Sequence, residues 1–158
     1  MPLHDTGDLV KGLGFVALYA AYVEEAIDKC VALMAGNDVD HIAALQRKNV
    51  STRIKYLVRA LGEPANLPEE LQSFPGQLGY LRTDLLEWRN AVIHGRVYAL
   101  PDGDVRFSAR PGVEQSPATS AEVFHLANLL MEAQTLVNGV AMFALPRLLA
   151  SRGATAGQ

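Results

Sequence analysis

From Leu9 to Met34, apolar residues recur at alternating steps of four and three: Leu9, Leu13, Val16, Ala20, Val23, Ile27, Cys30 and Met34. An α-helix turns once in about 3.6 residues, so this spacing lines the side chains along one face and predicts a long amphipathic helix. The "AGND" turn should end it, with Gly36 in a left-handed cap and Asn37 or Asp38 capping the next helix. A second helix is predicted from about Val39 to Leu61, with Ile42, Leu45, Val50, Ile54, Leu57, Val58 and Leu61 on its apolar side; Gly62 and Pro64 stop it. Residues 62–77 hold three prolines and two glycines and read as a connector with one short turn at "PEELQ". A third helix should begin near Gln77, bury Leu78, Leu81, Leu85, Trp88 and Val92, and end before Gly95.

The period then changes. "RVYAL-PDGD-VRFSA" alternates on either side of a turn-forming run, which predicts a small hairpin with arms Val97–Leu100 and Val105–Ser108. "RPGVEQSPATS" reads as a loop, and Thr119 paired with Glu122 caps the last helix. That helix is expected from about Ala121 to Ala150, with a three-four stripe of Val123, Ala127, Leu130, Ala133, Val137, Ala141, Ala144 and Leu148. Pro146 should kink it or end it early. The expected fold is all-α, an antiparallel four- to five-helix bundle with a small β-hairpin insertion. Residues 1–150 form a single helical domain and 151–158 a disordered tail. The alanine-rich faces of the two longest helices suit a helix-to-helix dimer as well as a core.

Composition adds charge to this outline. The 158-residue chain is 49% apolar and 20% charged, enough for one domain with a sizeable core, and its net charge of -3 does not suit a globally basic nucleic-acid binder. Residues 47–96, however, carry eight basic and five acidic side chains, a net of +3, against -6 for the rest. If that segment forms one face, it attracts anions that the whole molecule repels. Arg47, Lys48, Arg53, Lys55 and Arg59, with Arg96, are the candidates for guiding an RNA backbone. Cys30 is alone, so an internal disulfide is impossible, and it reads as a small buried hydrophobe. The N-terminus does not resemble a signal peptide, and no run reaches the roughly 20 continuous apolar residues of a membrane span. A soluble cytoplasmic protein is expected.

The chemistry concentrates in "EWRNAVIHGRV", residues 87–97. On a helix Asn90 and His94 stack on one face, with Glu87 a turn before Asn90; Arg89 lies about 140° round from His94. "RNAVIHG" resembles the signature of the HEPN superfamily, the higher eukaryote and prokaryote nucleotide-binding helical domains. That signature is an arginine, usually followed by a polar residue, and a histidine after four to six positions, which here correspond to Arg89, Asn90 and His94. The resemblance extends to a bundle over roughly residues 8–150. It implies four to five helices with the motif near the end of the third, and a homodimer whose two motifs face each other. Many members are metal-independent endoribonucleases, including toxins of toxin–antitoxin and phage-defence systems. Some are silenced by an antitoxin or nucleotidyltransferase partner, and others have no demonstrated cutting activity.

The residue types fit that chemistry. Metal-free RNA cleavage needs a group to move the 2'-hydroxyl proton and a cation to hold the phosphate. Histidine titrates near working pH, and arginine offers a fork of donors to phosphate oxygens. His94 is thus the expected proton-transfer group and Arg89 the phosphate holder, with Asn90 orienting His94 or binding an oxygen. A purely structural role is open beside it: His94 capping the helix, Arg89 paired with Asp84, Glu87, Glu24 or Glu25, and Asn90 tying two helices. The alternative function is a non-catalytic homodimeric helical domain that binds a partner protein or nucleotide. His4, His41 and His125 lack partners at zinc-ligand spacing, so neither metal nor cofactor is expected. Tyr98 and Phe107 are placed either in core packing or in base stacking.

Overall fold

A computed structural model of the chain describes residues 1–36, 38–94, 96–99, 105–108, 116–117 and 119–156, with the strands and residues 155–156 described by backbone alone. Among the described residues the helical backbone falls into five continuous runs. α1 spans Leu9–Met34, α2 Val39–Gln46 and α3 Val50–Leu61. α4 (Phe74–Tyr80) leads through a π-helical turn at Leu81–Leu85 into α5 (Leu86–His94). α6 (Ser120–Gly139) leads through a second π-helical turn at Val140–Ala144 into α7 (Leu145–Ala156). Two 3-10 turns, Pro64–Asn66 and Glu69–Leu71, lie in the connector before α4.

The expected fold class is corrected where it drew a two-stranded hairpin on an all-helical bundle. Among the described residues three short strands, β1 (Arg96–Ala99), β2 (Val105–Ser108) and β3 (Ser116–Pro117), form one antiparallel sheet in the order β1-β2-β3. Arg96 lies opposite Ser108, and Phe107 is opposite both Val97 and Ser116. The loop reading of "RPGVEQSPATS" missed β3 because two residues are too few to show an alternating period. The Pro-Asp-Gly turn lies outside the described residues.

The helical boundaries follow local chemistry. Gly36 does take a left-handed φ of 65°, and Asp38 caps α2 by accepting from the His41 N–H at 2.9 Å. The single helix expected over Val39–Leu61 is two, because Asn49 adopts an extended backbone and caps α3, its Oδ1 accepting from the Thr52 N–H at 2.8 Å. Gly62, at φ 85°, ends α3. α4 begins at Phe74, before the expected Gln77, with Pro75 in its first turn where a missing N–H costs nothing. Thr119 Oγ1 accepts from the Glu122 N–H at 3.2 Å at the start of α6.

Two compact units organise the contacts. The first comprises Met1–Tyr22 and Thr83–Glu132. In it Val16, Ala20, Leu85, Leu86, Val92, Val123, Phe124, Leu126, Ala127 and Leu130 are buried, and Phe15 meets Phe124 edge-on at 5.9 Å. Its N-terminal segment is fastened at Leu3, whose N–H donates to Asn128 Oδ1 and whose carbonyl accepts from Asn128 Nδ2.

The second unit comprises Val23–Arg82 and Ala133–Gln158. Its core holds Ile27, Cys30, Ile54, Leu57, Leu61, Leu71, Phe74, Leu78 and Leu145. Cys30 is fully buried, its Sγ 3.8 Å from the Val137 carbonyl, and burial pushes its thiol up to about 12. α7 also corrects the disordered tail, since it is helical through Ala156. Arg152 explains part of this, donating to the Ala60 and Leu61 carbonyls at 3.2 and 2.7 Å, the last two carbonyls of α3. Cations suit that negative end of a helix dipole. Pro146 neither ends the helix nor starts a new one. Its missing N–H and its clash with the carbonyl four residues back fall next to the widened π turn at Val140–Ala144, and the helix continues.

Candidate functional site

The motif residues lie in the first unit on α5, which the π turn at Leu81–Leu85 precedes. An inserted residue of this kind rotates everything after it by about 100° relative to the preceding face. The buried side of the run follows the spacing at Leu78, Leu81, Leu85 and Val92, gains Leu86 just after the π turn, and leaves Trp88 only half-buried. Trp88 instead packs near His125 of α6, the ring centroids 6.0 Å apart. No pattern in the sequence pairs those two residues, which are 37 positions apart and meet only through tertiary packing.

Rotation also decides what α5 offers to solvent. His94, the last residue of the helix, is exposed; Glu87 is exposed too, and Asn90 is half-buried between them on the same face. Arg89 is half-buried on the flank, about 140° from His94 around the helix. One chain therefore presents Asn90 and His94 together and Arg89 to one side. Such an arrangement can pass a proton at the imidazole and hold an anion at the guanidinium, but on adjoining faces. Gly95 lies outside the described residues, and Arg96 follows in β1, where its side chain is not described, nor are those of Tyr98 and Phe107.

The cations assigned to an RNA backbone do not all stay exposed. Arg47, Lys48 and Lys55 are exposed in the second unit, and so is Arg59. Arg53 is not: it is 6% exposed, the one buried charged residue among those described. Its Nη1 donates to Asp28 and its Nη2 to Glu24 at 3.2 Å, both on α1, while its Nε is buried without a partner among the described residues. This corrects its assignment to RNA. The reason is readable on the helix, since Arg53 precedes Leu57 by four and adjoins Ile54, which puts it on the inward face. Glu24 and Asp28, themselves four apart on α1, form the waiting acidic pair.

Among the described residues no group of three or more His, Cys, Asp or Glu side chains is placed to hold a metal ion. One helix there, Ser120–Ala154, is long and apolar enough to cross a membrane by length and composition. Its residues Val123, Phe124, Leu126, Ala127, Leu130, Val137, Ala141, Ala144, Leu145 and Leu148 are buried within the protein, whereas Leu136, Met142 and Phe143 are exposed. No protein-family model matches the chain, nor does any curated protein or solved structure.

Proposed function

We propose that the chain is a metal-independent endoribonuclease of toxin or phage-defence type, working in the cytoplasm as a homodimer. The observation that carries this reading is the exposed imidazole of His94 at the end of a helix whose half-buried flank holds Arg89. His94 takes the proton from a ribose 2'-hydroxyl. The oxygen so activated attacks the adjacent phosphorus and expels the 5'-oxygen of the next nucleotide, leaving a 2',3'-cyclic phosphate. Arg89 holds the charged phosphate oxygens through its fork of donors, and Asn90 orients the imidazole or contributes one donor. A second copy lets the arginine of one motif meet the histidine of the other, which the angle of about 140° denies within one helix. Val10, Leu18 and Tyr22, apolar and exposed on α1, support the presence of such a copy. An antitoxin or nucleotidyltransferase partner would silence the cutting.

The test is cleavage of end-labelled total RNA in excess chelator by the wild type and by His94→Ala and Arg89→Ala. Cutting is expected to survive the chelator and to fall by about 100-fold or more in His94→Ala, the scale of a lost general base. Equal cutting by wild type and His94→Ala removes the site from the reaction. A chelator-sensitive activity removes the metal-free mechanism. Absence of cutting by any protein on any RNA favours the non-catalytic dimer.

A further inference from the structure

α3 carries no acidic residue, and its exposed charges, Lys55 and Arg59, are both basic. Thr52, Lys55 and Arg59 are all exposed and follow one another at steps of three and four, hence on one side of the helix. Arg47 and Lys48, in the turn that precedes α3, are exposed as well. Thr52 to Arg59 covers roughly 10 Å along the axis. Among the described residues none of the four cations has an ion-pair or side-chain hydrogen-bond partner. The first turn of α3 has no acidic residue. On α1, Glu24 and Asp28 hold Arg53 and Glu25 pairs with Lys29 at 3.0 Å, and Asp38 caps α2; Asp40 and Glu63 are the further acids that flank these cations in the sequence.

Two features narrow the ligand. The stripe is a row of cations at intervals, which suits a chain of phosphates better than one small anion. Beside it, Tyr56 is half-buried against His41, ring centroids 5.3 Å apart, an aromatic surface of the kind on which unpaired bases stack. A basic helix that lies on a membrane needs a large apolar face to bury in lipid, and no large hydrophobic residue of α3 is exposed.

We infer that Arg47, Lys48, Lys55 and Arg59 form a binding site for single-stranded nucleic acid, gripping its phosphate backbone without reading base sequence. Binding there is independent of whether His94 cuts. A labelled oligothymidine, which has no 2'-hydroxyl, therefore tests it by fluorescence anisotropy in rising salt. Binding should weaken with salt at a log–log slope of about -3, roughly 0.7 for each phosphate neutralised by four cations. The triple variant Lys48→Gln/Lys55→Gln/Arg59→Gln should bind about tenfold more weakly or worse, with a slope shallower by about 2. Its circular dichroism should match the wild type, because all three side chains are exposed. Unchanged affinity in the triple variant, no binding by the wild type, or tighter binding to duplex than to single strand would each overturn the assignment. So would binding to phosphatidylserine vesicles without binding to the oligonucleotide. RNA cutting scored in parallel keeps the two proposals apart, since loss of cutting with oligothymidine binding intact rejects only the nuclease.

Discussion

Gly12 shows how narrowly one residue can be set. A Cβ at this position would sit 2.9 Å from Val123 Cγ1 and 3.1 Å from the Phe124 ring, both buried. Overpacking of this kind costs about 1–3 kcal/mol, and the better helix propensity of alanine returns about 1 kcal/mol. Gly12→Ala should therefore lower stability by about 1 kcal/mol, read as an earlier midpoint in urea without loss of helix content. Arg53 stands at the opposite extreme, a guanidinium bound on two sides. Truncating it leaves Glu24 and Asp28 facing each other, and because both are partly exposed the cost should fall near the lower end for a broken buried pair, about 3 kcal/mol. An Arg53→Ala midpoint equal to that of Lys55→Ala would contradict this difference. Cys30, with its thiol raised to about 12 from an ordinary 9.0, favours the protonated, folded state. Its contribution is full below pH 9.0, where the unfolded thiol is also protonated, and is lost as pH rises towards about 12, since the unfolded chain releases the proton first. Thiol reagents should label Cys30 in urea but not in the native protein at pH 8, and a Cys30→Ala variant should show a smaller loss of stability across that alkaline window.

At the scale of elements, caps and π turns decide what the apolar stripes leave open. The stripe of residues 39–61 is compatible with one helix, yet Asn49 divides it because its side chain competes for the Thr52 N–H and its own backbone turns extended. Asn49→Ala should cost about 1 kcal/mol, seen as a lower thermal midpoint; an unchanged midpoint would mean that the cap adds nothing. The stripes of α1 and α3 were legible because they are uninterrupted, and Val16, Val23, Ile27, Ile54, Leu57 and Leu61 are buried as their spacing implies. Those of the third and last runs were less so, because a π turn changes the period without any mark in composition. Leu86, directly after the first π turn, is buried off the expected stripe, and Trp88 on that stripe is only half-buried.

For the whole molecule, a net charge of -3 conceals a local excess of cations on α3. Ion binding is set by the field at the contact and is screened beyond about 8–10 Å, so the sum over the chain is a poor guide to partners. The helix Ser120–Ala154 raises the membrane question at this scale. With ten of its apolar residues between Val123 and Leu148 buried inside the protein, the purified protein should stay at the bottom of a flotation gradient with neutral phosphatidylcholine vesicles. Recovery in the floating fraction would show that this helix leaves its packing for lipid.

The sequence alone determined what depends on neighbours along the chain: the helical stripes, the caps at Gly36, Asp38 and Thr119, the stop at Gly62, and the buried character of Cys30. It also brought Asn90 and His94 to one helical face, because four residues make about one turn. Tertiary structure decided the rest. It took Arg53 out of the basic row by supplying Glu24 and Asp28 from α1, set Trp88 beside His125, added β3 to the sheet, and ordered α7 by tying Arg152 to the end of α3. Each of those outcomes depends on partners many residues away, whose energy appears only once the chain has brought them together.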